Sequence, residues 1–257
     1  MNIKQITEMI FDQYSFQARL MPVIISLSPI LFAFFAWFPE LYAHASSNDI
    51  TLGSFVALGI MMILVNKCRE NGIKAQQRLI KIWGGLPTTI YLRHRDTTIP
   101  QATKRRYFGN LKLAIREINI PDEDDESQNP IKSDEVYCSL VDWLIAYNRK
   151  SESEGKTINP LILKENINYG FRRNLFGNRH WAVASSALAF ITNIIVMYYL
   201  FVPNYEVIPN IVIGATVYAV FFSILFLSIV NSDWVRSAAD SYAFTLLSIC
   251  EHIVTSE

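Results

Sequence analysis

Two basic clusters carry the residues of this chain best suited to chemistry: Arg93-His94-Arg95-Asp96 and Lys104-Arg105-Arg106-Tyr107. A guanidinium is a planar fork of donors that matches phosphate oxygens, and each charge-assisted bond is worth about 1.5–3 kcal/mol. Tyr107 and Trp83 are rings on which a base can stack. The candidate ligand-binding residues are therefore Arg93, His94, Arg95, Lys104, Arg105, Arg106 and Tyr107, and the fitting ligand is an anionic nucleotide or oligonucleotide. From Lys67 to Glu117 there are twelve Lys or Arg against three acids, so the surplus is local and strong. The competing explanation is that basic residues beside apolar spans face anionic headgroups or follow the positive-inside bias. That accounts well for Lys67, Arg69, Arg172 and Arg173, and less well for the two clusters, which lie a helix and a turn further along the chain.

Other chemistry is sparse. The acidic run Asp122-Glu123-Asp124-Asp125-Glu126 has the oxygens to hold Mg²⁺, though such runs are more often solvated loops. His44, His94, His180 and His252 have no metal-ligand spacing, and no Cys-x-x-Cys occurs. Arg-His-Arg-Asp shares letters with a kinase catalytic loop, but no Gly-rich loop or metal-binding Asp accompanies it. No nucleophile elbow, Walker loop or dinucleotide fingerprint is present. An enzyme is not expected, nor a cofactor or metal; a lipid-modifying enzyme is the weakest of the readings kept open. A second polar set, Asn193, Thr216, Ser223 and Asn231, sits within otherwise apolar sequence. Thr216 and Ser223 share a helix face. Such a stripe lines a water-filled pore in an oligomer of four or more copies, or makes hydrogen bonds between packed helices.

The elements that position these residues follow from where charge is missing. The 257 residues hold 23 Lys plus Arg and 23 Asp plus Glu, yet 51% are hydrophobic and only 18% charged. Residues 20–39, 50–66, 181–205 and 207–232 contain no Asp, Glu, Lys or Arg. A helix needs roughly 20 apolar residues to cross a bilayer core, which predicts four transmembrane helices, the second marginal in length. None shows the alternation of an outer-membrane strand. The connections after the first and third spans carry acids and no base, whereas residues 67–180 carry twenty bases against fourteen acids. The positive-inside rule then places both termini and the central segment in the cytoplasm, in the cell inner membrane. Ala43-His44-Ala45 has the form of a signal-peptide cleavage site, but the preceding apolar run is too long and an uncleaved span is expected. Cys68, Cys138 and Cys250 fall on the reducing side as free thiols.

The soluble segments read as helices. The second span continues through Ile73, Leu79, Ile80 and Trp83 until Gly84-Gly85 and Pro87 stop it. A helix is predicted over 112–118, another over 133–150 with Ser133 as N-cap, and a strand over 89–93. The tail stripe Val235, Ala239, Tyr242, Leu246, Ile249 and Ile253 packs either on partners or on the chain's own central domain. Ile3, Ile6, Ile10 and Tyr14 give an amphipathic helix at the start of the chain. The fold class is thus an all-α or mainly α membrane protein, four spans in a 2+2 layout around a helical cytoplasmic insert. Its segments are 1–19 (amphipathic helix), 20–66 (hairpin one), 67–180 (basic domain), 181–232 (hairpin two) and 233–257 (helical tail).

In this layout the chain resembles the four-transmembrane effectors of bacterial nucleotide-signalling anti-phage defence, including those associated with SMODS nucleotidyltransferases. The resemblance covers the whole chain as architecture and rests on no residue motif. It implies that an infection-triggered nucleotide binds the cytoplasmic domain, that a homo-oligomer then opens or disrupts the membrane, and that a nucleotidyltransferase is a genetic partner. The alternative is a non-catalytic scaffold or anchor that binds a cytoplasmic protein partner or anionic lipid.

Overall fold

A computed structural model describes residues 12–38, 50–115, 118–155, 159–200 and 207–253, with 50–57 described by backbone alone. Among these residues every regular element is helical, and no strand occurs. In chain order the helices are α1 (Ser15–Trp37), α2 (Ile50–Trp83), α3 (Pro87–Ile90), α4 (Gln101–Ala114), α5 (Glu123–Gln128), α6 (Pro130–Ser153), α7 (Leu161–Gly177), α8 (Arg179–Leu200), α9 (Asn210–Ile229) and α10 (Ser232–Leu247), followed by a 3-10 turn at Ser248–Glu251. The amphipathic stretch Ile3, Ile6 and Ile10 and most of the connections that follow the first and third predicted spans (39–49 and 201–206) lie outside the described residues.

The chain divides into two compact units. One comprises Met1–Gln77 and Gly170–Val235, the other Arg78–Tyr169 and Arg236–Glu257. We refer to them as the apolar and the polar unit.

In the apolar unit, α1, α8 and α9 are long and apolar enough to cross a membrane. The predicted second span forms the start of α2; of its side chains, those of 50–57 lie outside the described residues, while Leu58, Ile60, Met62 and Ile63 are exposed. Small residues mark the contacts between helices: Ala33, Ala189 and Ala219 meet in one layer, and Ala36, Val212 and Ala215 in the next. Lipid gives helices no hydrophobic reason to associate, so close approach through small side chains does the holding. Large apolar side chains point outward instead, among them Leu188, Ile191, Tyr199, Val217, Phe221 and Ile224. A water-soluble unit would bury these. Within α1, Pro29 lacks the N–H that Ile25 O would otherwise accept, and the Ser28 hydroxyl donates to that carbonyl at 2.8 Å.

The polar unit has an ordinary hydrophobic core. Phe108 and Leu111 of α4 and Tyr137, Leu140 and Leu144 of α6 pack with Leu246, Leu247, Ile249 and Cys250 of the tail. The tail stripe therefore buries Leu246 and Ile249 in the chain's own core. Its termination signals also work as the sequence suggests: α2 stops at Gly84 (φ +75°) and Gly85 (φ +142°), conformations that favour glycine.

Three local expectations are corrected. The segment predicted as strand 89–93 is the short helix α3 followed by turns, because Pro87 at its first turn presets a helical φ. The helix predicted over 112–118 begins at Gln101, just after Pro100, and ends at Ala114 with Ile115 extended. The helix predicted from Ser133 begins at Pro130, with Asn129 before it, so Ser133 is buried inside the helix and its first turn holds no acid. All three cysteines are free.

Candidate functional site

The acidic run is the key to the polar unit. Asp122 caps α5 in a reciprocal capping box with Asp125, so the run is a helix and not a loop. That turns Glu126 inward, to 3% exposure. Its carboxylate accepts from Tyr137 Oη at 2.7 Å, His94 N at 2.7 Å, Arg95 N at 3.2 Å and Arg95 Nη1 at 3.2 Å. Burial pushes this carboxyl up, but the hydrogen bonds from Tyr137, His94 and Arg95 outweigh burial and hold it below the usual glutamate range. The Tyr137 hydroxyl is correspondingly driven up, by burial first and then by Glu126.

Lys104 does the complementary task. It is fully buried and its ammonium donates to the carbonyls of Arg93 and Asp96. Desolvation lowers its pKa, against the attraction of Asp96 and Glu126. The Arg-His-Arg-Asp segment is therefore clamped from both sides. Gln101 Nε2 adds a bond to His94 O at 2.7 Å, and the His94 ring approaches Pro121 O at 2.9 Å. Arg93 forms a bidentate pair with Asp134 (2.8 and 2.9 Å) and donates to Gly84 O. The close packing extends to Gly85, where a Cβ would lie 2.9 Å from the Arg93 guanidinium.

Of the predicted ligand residues, then, Arg93, His94, Arg95 and Lys104 come together, but around internal carboxylates and carbonyls. Tyr107 is buried in the core, its hydroxyl raised chiefly by burial. Arg106 pairs with Glu251 at 2.9 Å. The ring of Trp83 lies under the Arg236 guanidinium, 5.2 Å from its centroid. Arg105 is exposed, with no ion pair or hydrogen bond among the described residues. A cleft of about 450 Å³ is lined by His94, Arg95, Gln101, Glu123, Glu126, Ser127 and Pro130. Its one guanidinium faces two carboxylates, which gives a phosphate little net attraction. Among the described residues no cluster of three His, Cys, Asp or Glu side chains is placed to hold a metal ion.

In the apolar unit the predicted stripe is distributed over helix contacts. Asn193 is fully buried, accepts from Trp37 Nε1 at 2.8 Å and donates to Thr216 Oγ1 at 3.1 Å. Ser223 donates to Ser186, which donates to Ala219 O. Asn231 is exposed and stands apart, accepting from Trp234 N at the start of α10. In this single chain the stripe joins helices.

A second polar cluster was not singled out by the sequence reading. Asn174 donates to Ala18 O, Asn178 to Cys68 O, and Asn71 to Asn178 Oδ1. A Cβ on Gly177 would fall 2.6 Å from the Asn71 backbone, so α2 and α7 cross where only glycine fits. The signal was present as Asn174 and Asn178 one helical turn apart, with Asn71-Gly72 as partner. Arg172 and Arg173 are likewise engaged internally, stacking on Trp234 and bonding Gln76.

No protein-family model, curated protein or solved structure matches this chain.

Proposed function

We propose that this chain is a non-catalytic multi-pass protein of the bacterial inner membrane. In this reading it has four spans, with both termini and the polar unit cytoplasmic, and serves as a scaffold or anchor. The observation that carries this is the distribution of polarity in the apolar unit: outward faces of large apolar side chains, and the polar residues Asn193, Thr216, Ser186 and Ser223 bonded to one another or to backbone within the bundle. A bundle so arranged suits lipid outside and needs no water inside. The polar unit adds a helical body in which Arg93, Arg95, Lys104 and Glu126 are consumed in its own construction, which fits presentation of a surface to a cytoplasmic partner better than turnover. The test is to express the full chain and follow membrane potential and alkaline carbonate extraction together. An anchor stays in the membrane pellet and leaves the potential intact.

One observation favours a second reading, the oligomeric pore or membrane-disrupting effector of anti-phage defence. Arg105 is an exposed cation on α4, and Lys112 is exposed on the same helix, so a phosphate-bearing nucleotide has donors to meet. In that reading several copies rearrange so that Thr216 and Ser223 face water. Depolarisation and growth arrest on addition or synthesis of a signalling oligonucleotide distinguish it from the anchor.

A further inference from the structure

The apolar unit contains a small groove that neither the anchor reading nor the predicted site explains. It encloses about 140 Å³ and is lined by Val23, Ser26 and Leu27 of α1, Leu64, Lys67 and Cys68 of α2, and by Asn178 and Trp181 at the junction of α7 and α8. Its wall is almost wholly apolar; besides Asn178, which donates to Cys68 O, three features are not. The Ser26 hydroxyl, on a residue only 4% exposed, is buried with no hydrogen-bond partner among the described residues. Lys67 lines it with its side chain 55% exposed and, among the described residues, pairs with the similarly exposed Glu70 at 3.0 Å. Trp181, 64% exposed, stands in the first turn of α8.

Two of these lie where charge-free stretches of sequence begin or end, since Lys67 directly follows 50–66 and Trp181 opens 181–205, while Ser26 is about two turns into 20–39. An apolar slot, an aromatic ring with a polar edge and a cation are the chemistry of a bilayer from chain to headgroup. A surface ion pair such as Lys67–Glu70 contributes little to stability, so a phosphate can displace Glu70 readily. A buried hydroxyl left without a partner is destabilising, and an ester carbonyl in the groove gives it an acceptor.

We propose that this groove binds one anionic glycerophospholipid of the surrounding bilayer, with an acyl chain against Val23, Leu27 and Leu64, an ester carbonyl at Ser26 and the phosphate at Lys67. The site rests on the membrane reading above. It makes the chain selective for lipid headgroup at a defined place, beyond the general attraction of a basic surface.

The test uses the full chain reconstituted into vesicles of phosphatidylcholine, with or without phosphatidylglycerol. Lipid retained after detergent extraction is read by native mass spectrometry, and quenching of Trp181 by brominated acyl chains by difference from Trp181→Phe. The expected result is severalfold preferential retention of phosphatidylglycerol. Lys67→Gln, an exposed substitution that leaves the fold alone, removes the headgroup preference; Ser26→Leu, which fills the groove, removes retention of either lipid. Retention and preference unchanged in both variants, in a chain that resists carbonate, overturn the site while sparing the membrane reading. Release by carbonate overturns the membrane reading and the site with it.

Discussion

The polar and apolar units solve the same problem with different chemistry. Each buries polar side chains and satisfies most of them internally. The polar unit does so with full charges: Lys104 buried completely, Glu126 nearly so, Arg93 locked to Asp134. The apolar unit uses neutral amides and hydroxyls: Asn193, Asn174, Asn178, Ser186 and Thr216. Desolvation explains the contrast. A buried ion is tolerable where carboxylate, phenol and backbone N–H groups surround it, as they do Glu126, and far more costly among lipid-facing helices that offer only a few dipoles. Charge therefore builds the fold of one unit, and polarity without charge builds the other.

The largest effect expected from breaking this arrangement is at Glu126. Glu126→Ala leaves Tyr137, the His94 and Arg95 amides and the Arg95 guanidinium without their acceptor, and should cost about 3–5 kcal/mol, read as a lowered unfolding midpoint of the full chain in detergent. Because the folded carboxyl is held below its unfolded value, its contribution is fully present above the usual glutamate range and is lost as pH falls through the lowered folded value. Glu126→Gln should flatten that acid limb. An unchanged limb would show that Glu126 is not the group responsible.

Next in size is the crossing of α2 and α7 in the apolar unit. Gly177→Ala forces a Cβ against the Asn71 backbone and should destabilise by about 1–3 kcal/mol. Gly109→Ala on α4, where a Cβ meets nothing within 4 Å, should instead stabilise by about 0.5–1 kcal/mol. Opposite signs for the two glycines would confirm that fit, not helix propensity, governs the crossing.

Smaller again is Asn193→Leu, which removes the bonds to Trp37 and Thr216. Interhelical polar contacts in membranes average about 0.6 kcal/mol, so a loss near 1 kcal/mol in thermal unfolding is expected, with no change in ion flux. The smallest effect is at Arg105: replacement by Ala should stay within about 0.5 kcal/mol in stability. If Arg105→Ala abolishes binding of an oligonucleotide, the effector reading gains its ligand site.

Much of the helical layout was legible because it depends on local or additive signals. Runs without charge revealed the apolar helices, and Gly84-Gly85 marked the end of α2. Helix starts were read less well, since Pro130 and Pro100 set them by fixing φ while the residues expected to do so, such as Ser133, were buried by tertiary packing. The basic clusters were visible but not their partners. Arg93 meets Asp134 and Arg95 meets Glu126 across more than thirty residues of sequence, and a one-dimensional charge count assigns such cations to an external anion by default. The crossing at Gly177 was hidden for a similar reason: a glycine required by close approach looks like any other glycine until its neighbour is known.

The most direct test of the anchor account is ion flux across phosphatidylcholine–phosphatidylglycerol vesicles containing the full chain, with a potassium gradient and a potential-sensitive dye. The account predicts that the potential is held, with or without added signalling oligonucleotide. Collapse of the potential when an oligonucleotide is added, abolished by Thr216→Leu with Ser223→Leu, would contradict it and make the chain a gated pore.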